Sequence, residues 1–457
     1  MILFRPATPR SNHDLLERLR ATTLLLEQIA ADFSVVDALP TLERERLFQA
    51  IARIHHPDHR ERRQMRRAAA RERRATRTRE SDAVLHETGI RALRRKPVFT
   101  APAFFPPLGF SAQDVGKLED GGSGHEGPRT EPKHCYVCKE KYQLIHHFYD
   151  QLCPACAQLN FSKRTELADL RGRVALLTGG RVKIGYQTGL KLLRAGAHLI
   201  VTTRFPRDSA ARYALEADFA DWGHRLEIFG LDLRHTPSVE AFCHELLSTR
   251  ERLDFIVNNA CQTVRRPPDF YAHMMAGETE ALHHAPASVR RLIGTYEGLR
   301  SSNILPETHA ASGPTALTAV MPALTRAAEL SQIPLLPEEL LAQQHLFPEG
   351  RLDQDLQLVD LRGRNSWRML MDEVPAVELL EVQLVNAIAP FIINARLKPL
   401  MLRTPGHDKH IVNVSAVEGQ FYRSFKTTRH PHTNMAKAAL NMMTRTAAAD
   451  YTATAFT

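Results

Sequence analysis

The sequence predicts an α/β fold over its C-terminal part, a doubly wound parallel sheet with flanking helices running from about residue 171 to residue 457. Three observations carry this. Apolar strand-length runs and amphipathic helical stretches alternate from Val174 onward, a glycine-bearing turn joins the first strand to the first helix, and at least four strands follow that alternation. Ahead of the sheet the sequence predicts an α-helical region at residues 1–96, a Pro- and Gly-rich linker at 97–133 and a small cysteine module at 134–165. A chain of 457 residues exceeds the roughly 250 to 300 that one core holds, so more than one folded unit is expected.

In the N-terminal region the apolar spacing of DLLERLRATTLLLEQIAADF and LERERLFQAIARI is helical. The segment RERRQMRRAAARERRATRTR, residues 60–79, is rich in Ala and free of Pro and Gly, which extends a helix beginning near Glu43. It holds ten Arg against two Glu, so it carries +8 of the chain's formal +9 and leaves the remainder nearly neutral. A solvated helical face accounts for this charge; contact with RNA or an acidic partner is the alternative. His56-Pro57-Asp58 matches the tripeptide on which J-domain cochaperones depend, but no J-domain helix pair flanks it. Hydrophobic residues at 43% and charged residues at 24% fall near the globular average, and no apolar run approaches the roughly 20 residues that cross a bilayer, so no membrane partner is expected. The opening MILFRPATPRSNHD has too short an apolar stretch for a secretory signal. With four of six cysteines in CxxC pairs, a reducing, cytoplasmic setting is expected.

The cysteine module, HCYVCKEKYQLIHHFYDQLCPACAQLNF, separates Cys135 and Cys138 by fourteen residues from Cys153 and Cys156. Two such knuckles bring four thiolates within tetrahedral reach of one Zn²⁺, whose binding supplies folding energy that so short a segment lacks. Four protein ligands leave no coordination position for water or substrate, which makes the zinc structural. His134, His146 and His147 are spare ligands, and a redox dithiol is the competing reading. Docking of a protein partner on the module stays open.

From Gly172 the stretch GRVALLTGGRVKIGYQTGLKLLRAGAHLIVTTR reads as strand (174–178), turn, helix and strand (198–203). Gly179 and Gly185 take the first and last glycine places of a turn that lets backbone N–H groups and a helix N-terminus approach a pyrophosphate. A third strand runs into Gly230-Leu231-Asp232-Leu233, and a fourth through Asp254 into Asn258-Asn259-Ala260.

At these residues the chain resembles the short-chain dehydrogenase/reductase family: TGGRVKIG stands for its TGxxxGxG turn, DL follows the third strand, and NNAC stands for NNAG. Asn386 in VNAIAPF, Ser415 in HIVNVSA and Lys437 in NMAKAALNMM match three of its four catalytic positions. The resemblance implies a Rossmann fold and hydride transfer between a nicotinamide cofactor and a small carbonyl or alcohol substrate. Cofactor contacts would come from Thr178, Gly179, Arg181, Lys183, Ile184 and Gly185 on the turn. Arg204, Asp232, Leu233, Asn259, Ala260 and Lys437 would complete them. In the family the Asn holds a proton-relay water, the Ser positions the substrate carbonyl, and the Lys binds ribose while acidifying a Tyr.

Departures from the family pattern are equally specific. Thr433 occupies the tyrosine position four residues before Lys437, and an alkanol is a far weaker acid than a phenol near pKa 10. Tyr422, in a segment longer than the family's usual spacing, is the candidate replacement. Lys183 stands at the middle glycine, and the sequence ends twenty residues past Lys437, so the sheet is expected to be incomplete at its C-terminal side. The second strand ends in Thr202-Thr203-Arg204 without an acid; Arg204, with Arg181 and Lys183, therefore favours the 2′-phosphate of NADP. An insertion at about 262–375 is expected to form short helices near the cofactor mouth, as a lid, an interaction arm or a structural appendage. Two functions follow: an NADP(H)-dependent oxidoreductase with a non-standard site, or an NADP-binding scaffold without turnover.

Overall fold

The computed structural model describes residues 9–55, 59–95, 128–302, 326–341, 343–353, 355, 357–422 and 426–454. Most of the Pro/Gly-rich linker, the His56-Pro57-Asp58 tripeptide and a central piece of the insertion lie outside these residues. The chain divides into two compact units, Met1–His86 with Gly127–Lys133, and Glu87–Glu126 with His134–Thr457.

In the first unit, α1 (Pro9–Ala31), α2 (Thr41–His55) and α3 (His59–His86) are the helices that the 3.6-residue spacing predicts. The helix expected to run on from Glu43 is two helices, α2 and α3, on either side of Pro57. Residues 66–80 of α3, arginines included, are all exposed.

In the second unit, α4 (Gly89–Arg95) is tied to the cysteine module. The Gly89 and Ile90 N–H groups donate to the His147 and Phe148 carbonyls at 2.9 and 2.8 Å, and Arg91 pairs with the buried Asp150 carboxylate at 2.8 Å. Residues 87–95 thus pack with the module. Within it, Cys153 caps α5 (Pro154–Ser162), where Pro154 occupies a first-turn position that needs no N–H.

The sheet comprises β1 (Val174–Thr178), β2 (His198–Thr203), β3 (Leu226–Gly230), β4 (Phe255–Asn258) and β5 (His410–Asn413). All pairings are parallel, in the order β3-β2-β1-β4-β5. Runs such as VALLT and HLIVTT are buried on both faces because helices cover both sides of a parallel sheet. Alternation along the strands assigns the faces. Leu176, Ile200, Phe229 and Ile256 pack against α8 (Thr236–Thr249) and α12 (Ala389–Leu402) through Phe242, Leu246, Ile393 and Leu397. Ala175, Leu177, Leu199 and Val201 face α6 (Lys183–Arg194) and α7 (Pro206–Ala214) through Tyr186, Leu190, Leu193 and Tyr213. Here α11 (Ala376–Gln383) runs through a π-helical turn, Leu384–Ile388, into α12, and α13 (Pro431–Thr454) follows β5. The Ala376–Leu402 run is long and apolar enough to cross a membrane by length and composition; Val382, Ala389, Ile393, Leu397 and Met401 in it are fully buried, while Leu380, Ile388 and Phe391 are exposed. Helix α13 continues as far as Thr454.

The insertion departs most from expectation. The insertion holds α9 (Pro268–Thr279), and where short helices are expected further on, Pro337–Leu340 and Gln344–Leu346 are 3₁₀ turns. Helix α10 (Ala287–Ser302), expected near the cofactor mouth, instead packs on the sheet through Val289, Leu292 and Ile293. Its Tyr296 covers the end of β3, where a Cβ on Gly230 would lie 2.3 Å from the ring. An edge strand is thereby shielded.

At the amino ends of the strands, the fully buried Asp254 carboxylate accepts from the Val174 N–H (2.8 Å), Arg252 Nε (2.7 Å) and Arg173 Nη1 (3.1 Å). Burial alone would raise its pKa; these three donors outweigh burial and hold it below 3.8. A lowered acid pKa adds stability above the unfolded value, which is lost as pH falls through the folded one. Asp254→Ala should therefore cost about 2 to 3 kcal/mol in urea unfolding at pH 7, the gap from wild type closing below pH 4.

Candidate functional site

A cleft of about 570 Å³ opens at the carboxyl ends of β1, β2 and β4, where an open doubly wound sheet binds its ligands. A clasp between β1 and β4 shapes it. Thr178 Oγ1 accepts from the Asn259 and Ala260 N–H groups, both at 3.1 Å, and Asn259 Nδ2 donates to the Thr178 and Gly179 carbonyls at 3.1 and 3.0 Å. This close approach demands glycine. Gly179 has φ +69° and a Cβ there would lie 2.8 Å from Ala260 Cα, while a Cβ on Gly185 would lie 2.1 Å from the Gly179 carbonyl oxygen.

Lys183, at the family's middle glycine, is itself left-handed, with φ +56°. Its exposed ammonium lies 3.6 Å from the buried Asp355 carboxylate. No side chain caps α6, since Val182 at the N-cap offers no acceptor, so its first N–H groups are left for a ligand beside Lys183 and Ile184.

At the end of β2, Arg204 Nη2 donates to the Tyr271 hydroxyl at 2.7 Å, with its guanidinium 4.8 Å from that ring's centroid. Among the described residues Arg204 has no carboxylate within ion-pair distance. Arg181, expected as a cation for the cofactor, lines the cleft but is largely buried and paired with Asp208 at 2.7 Å. Asp232 is likewise committed: Arg234 grips both its oxygens. Arg234 also pairs with Glu381 at 2.7 Å, Glu381 with Arg265 at 3.1 Å, and Arg265 with Glu339 of the insertion. Leu233 is buried alongside.

The other wall holds the residues matching the family's catalytic positions. Ser415, two residues past β5, has a buried Oγ with no partner among the described residues. Lys437, buried on α13, donates to the Val414 carbonyl at 2.7 Å, and both residues line the cleft. Asn386, in the π turn, spends its amide on the backbone of Gln262, accepting from its N–H at 2.8 Å and donating to its carbonyl at 2.9 Å. Neither tyrosine substitute reaches the cleft. Thr433 Oγ1 donates to the His430 carbonyl at 2.9 Å within the first turn of α13, and Tyr422 is 94% exposed outside the cleft lining. Sequence reasoning missed Tyr271, on an insertion helix that carries no motif, and gave no role to Cys261, although its departure from NNAG was visible.

In the cysteine module the Sγ atoms of Cys135, Cys138, Cys153 and Cys156 lie within 4.8 Å of one another. The Cys138–Cys153 separation of 3.7 Å is close to the edge of about 3.8 Å set by four Zn–S bonds near 2.3 Å. The spare histidines face elsewhere. His134 Nδ1 bonds the Lys139 carbonyl, and His146 Nδ1 accepts from the Phe148 N–H.

Residues 173–280 match the family described as short chain dehydrogenase. An uncharacterized protein of Acanthamoeba polyphaga mimivirus is 29% identical over 322 residues, 69% of this chain and 59% of that protein. Dehydrogenase/reductase SDR family member 13 of Bos taurus is 37% identical over 106 residues, 22% of this chain and 28% of that protein. The chain thus spans less than two thirds of the length of either relative. Among solved structures, the Pseudomonas aeruginosa RhlG/NADP active-site complex aligns over 63% of this chain and 70% of its own, with 16% identity and a TM-score of 0.37. The similarity to short-chain dehydrogenases thus lies in the first part of the Rossmann domain, over residues 173–280.

A left-handed conformation costs a Cβ-bearing residue about 1 to 2 kcal/mol, part of which glycine forfeits through unfolded-state entropy. Lys183→Gly should therefore raise stability by about 0.5 to 1 kcal/mol in thermal or urea unfolding.

Proposed function

We propose that the chain is an NADP(H)-dependent oxidoreductase acting on a small carbonyl or alcohol. The observation that carries this reading is that one cleft joins the glycine turn and Arg204 to Ser415 and Lys437. The residues fit the cofactor: an uncapped helix N-terminus suits the pyrophosphate, and a guanidinium with no carboxylate partner at the end of β2 suits a 2′-phosphate. When bound, the nicotinamide would supply or accept the hydride. The unpartnered Ser415 hydroxyl would hydrogen-bond the substrate oxygen, and Lys437, with one N–H committed to Val414, would offer the others to ribose hydroxyls. One observation favours a scaffold without turnover as a second reading, namely that Thr433 and Tyr422 are both remote from any role as acid.

Calorimetry should find NADPH bound more tightly than NADH, and Arg204→Ala should remove much of that preference, about 1.5 to 3 kcal/mol. Equal affinities in wild type, or an unchanged gap in the variant, would overturn the assignment.

We assign the four cysteines to one structural Zn²⁺, supported by thiolates spaced as a tetrahedral shell. Elemental analysis should give one zinc per chain, lost in Cys153→Ser together with the module's fold. Equal metal in both proteins would refute the site.

A further inference from the structure

The oxidoreductase reading lacks a proton donor, since Thr433 is held inside its helix and Tyr422 is turned to solvent. A third group stands where neither reaches. Cys261 is the residue of NNAC that replaces the family's glycine, and its thiol is open to the cleft. Strands β4 and β5 are adjacent, with Asn258 and Asn413 in register. Cys261, three residues past Asn258, and Ser415, two past Asn413, therefore leave the sheet side by side. Cys261 and Lys437 both line the cleft, and the Lys437 charge acts on the thiol to favour its ionised form. Cys261, Ser415 and Lys437 thus form one constellation, in which Lys437 is more than nine-tenths buried and the Ser415 oxygen has no protein partner among the described residues.

We propose that Cys261 is the general acid and base of the reaction. The inference rests on the oxidoreductase reading. In the reducing direction a bound dihydronicotinamide would supply the hydride, its C–H bond being replaced by a new C–H bond at the carbonyl carbon. The S–H bond of Cys261 breaks as an O–H bond forms on the substrate oxygen held by Ser415. NADPH is oxidised, the carbonyl is reduced to an alcohol, and the thiolate, facing the Lys437 ammonium, takes a proton from solvent. Alcohol oxidation runs the same steps backwards. Acidity favours this group: an ordinary thiol titrates near 8.5, within about two units of a phenol, whereas an alkanol is several units weaker. The cleft walls push the thiol upward while Lys437 opposes the shift, which keeps Cys261 protonated at neutral pH and ready to donate.

The test compares wild type with Cys261→Ser and Cys261→Ala, measuring NADPH affinity by fluorescence, thermal stability, and steady-state rates against a panel of aldehydes and ketones. Cys261→Ser nearly preserves shape while removing acidity. The expected result is a kcat at least about 100-fold lower in both variants, with NADPH affinity within about twofold of wild type and the melting temperature unchanged. Wild-type reduction should also fall at alkaline pH as the thiol ionises, a limb that both variants lose. Turnover retained in Cys261→Ser, or lost only in step with NADPH affinity or stability, overturns the assignment. Wild type that binds NADPH but reduces nothing on the panel overturns it while sparing the cofactor reading; wild type that binds no NADPH overturns both.

Discussion

The site depends on the clasp between β1 and β4. Two backbone donors converge on the Thr178 hydroxyl, and the Asn259 amide closes over the Thr178 and Gly179 carbonyls. Backbones so close leave no room for a Cβ at Gly179 or Gly185, so the glycines are a steric consequence of the clasp as much as an accommodation of phosphate. Once the turn is fixed, the α6 N-terminus points into the crevice and its neighbours inherit their places. Lys183 accepts a left-handed backbone because the turn dictates it, and Cys261 enters the cleft because Asn259 and Ala260 hold the chain just before it.

Much of this was legible in the sequence because it is local. Strand boundaries from Val174 to Asn258 follow from apolar runs and the glycine turn, which short-range sterics impose. The paired spacing of Cys135, Cys138, Cys153 and Cys156 fixes two knuckles, and closing the loop between them brings the four sulfurs together. Lys183 read as an oddity in the sequence, and φ +56° gives the oddity its energetic meaning.

What the sequence hid depends on contacts across long separations. Nothing in PDFYAHMM says that Tyr271 will meet Arg204, 67 residues away, or that Arg181 in the cleft wall will be paired with Asp208. Tyr422 fitted the chemistry of a proton donor but not the geometry, because the segment after β5 carries it outward, whereas Thr433 is drawn inward to satisfy the helix beginning at Pro431. Helix α10 was expected at the cofactor mouth because the free β3 edge that it shields is invisible until the strand order is known.

The row Asp232, Arg234, Glu381, Arg265, Glu339 alternates in charge and is largely dry along its length. Each ion is neutralised only by its neighbours, and stripping one away strands the rest in a medium that solvates charge poorly. Such a row has no stable half-built form. The insertion, the helix bearing Glu381 and the end of the third strand therefore depend on one another for charge balance, and loss of any one member leaves a charge uncompensated in the wall they share.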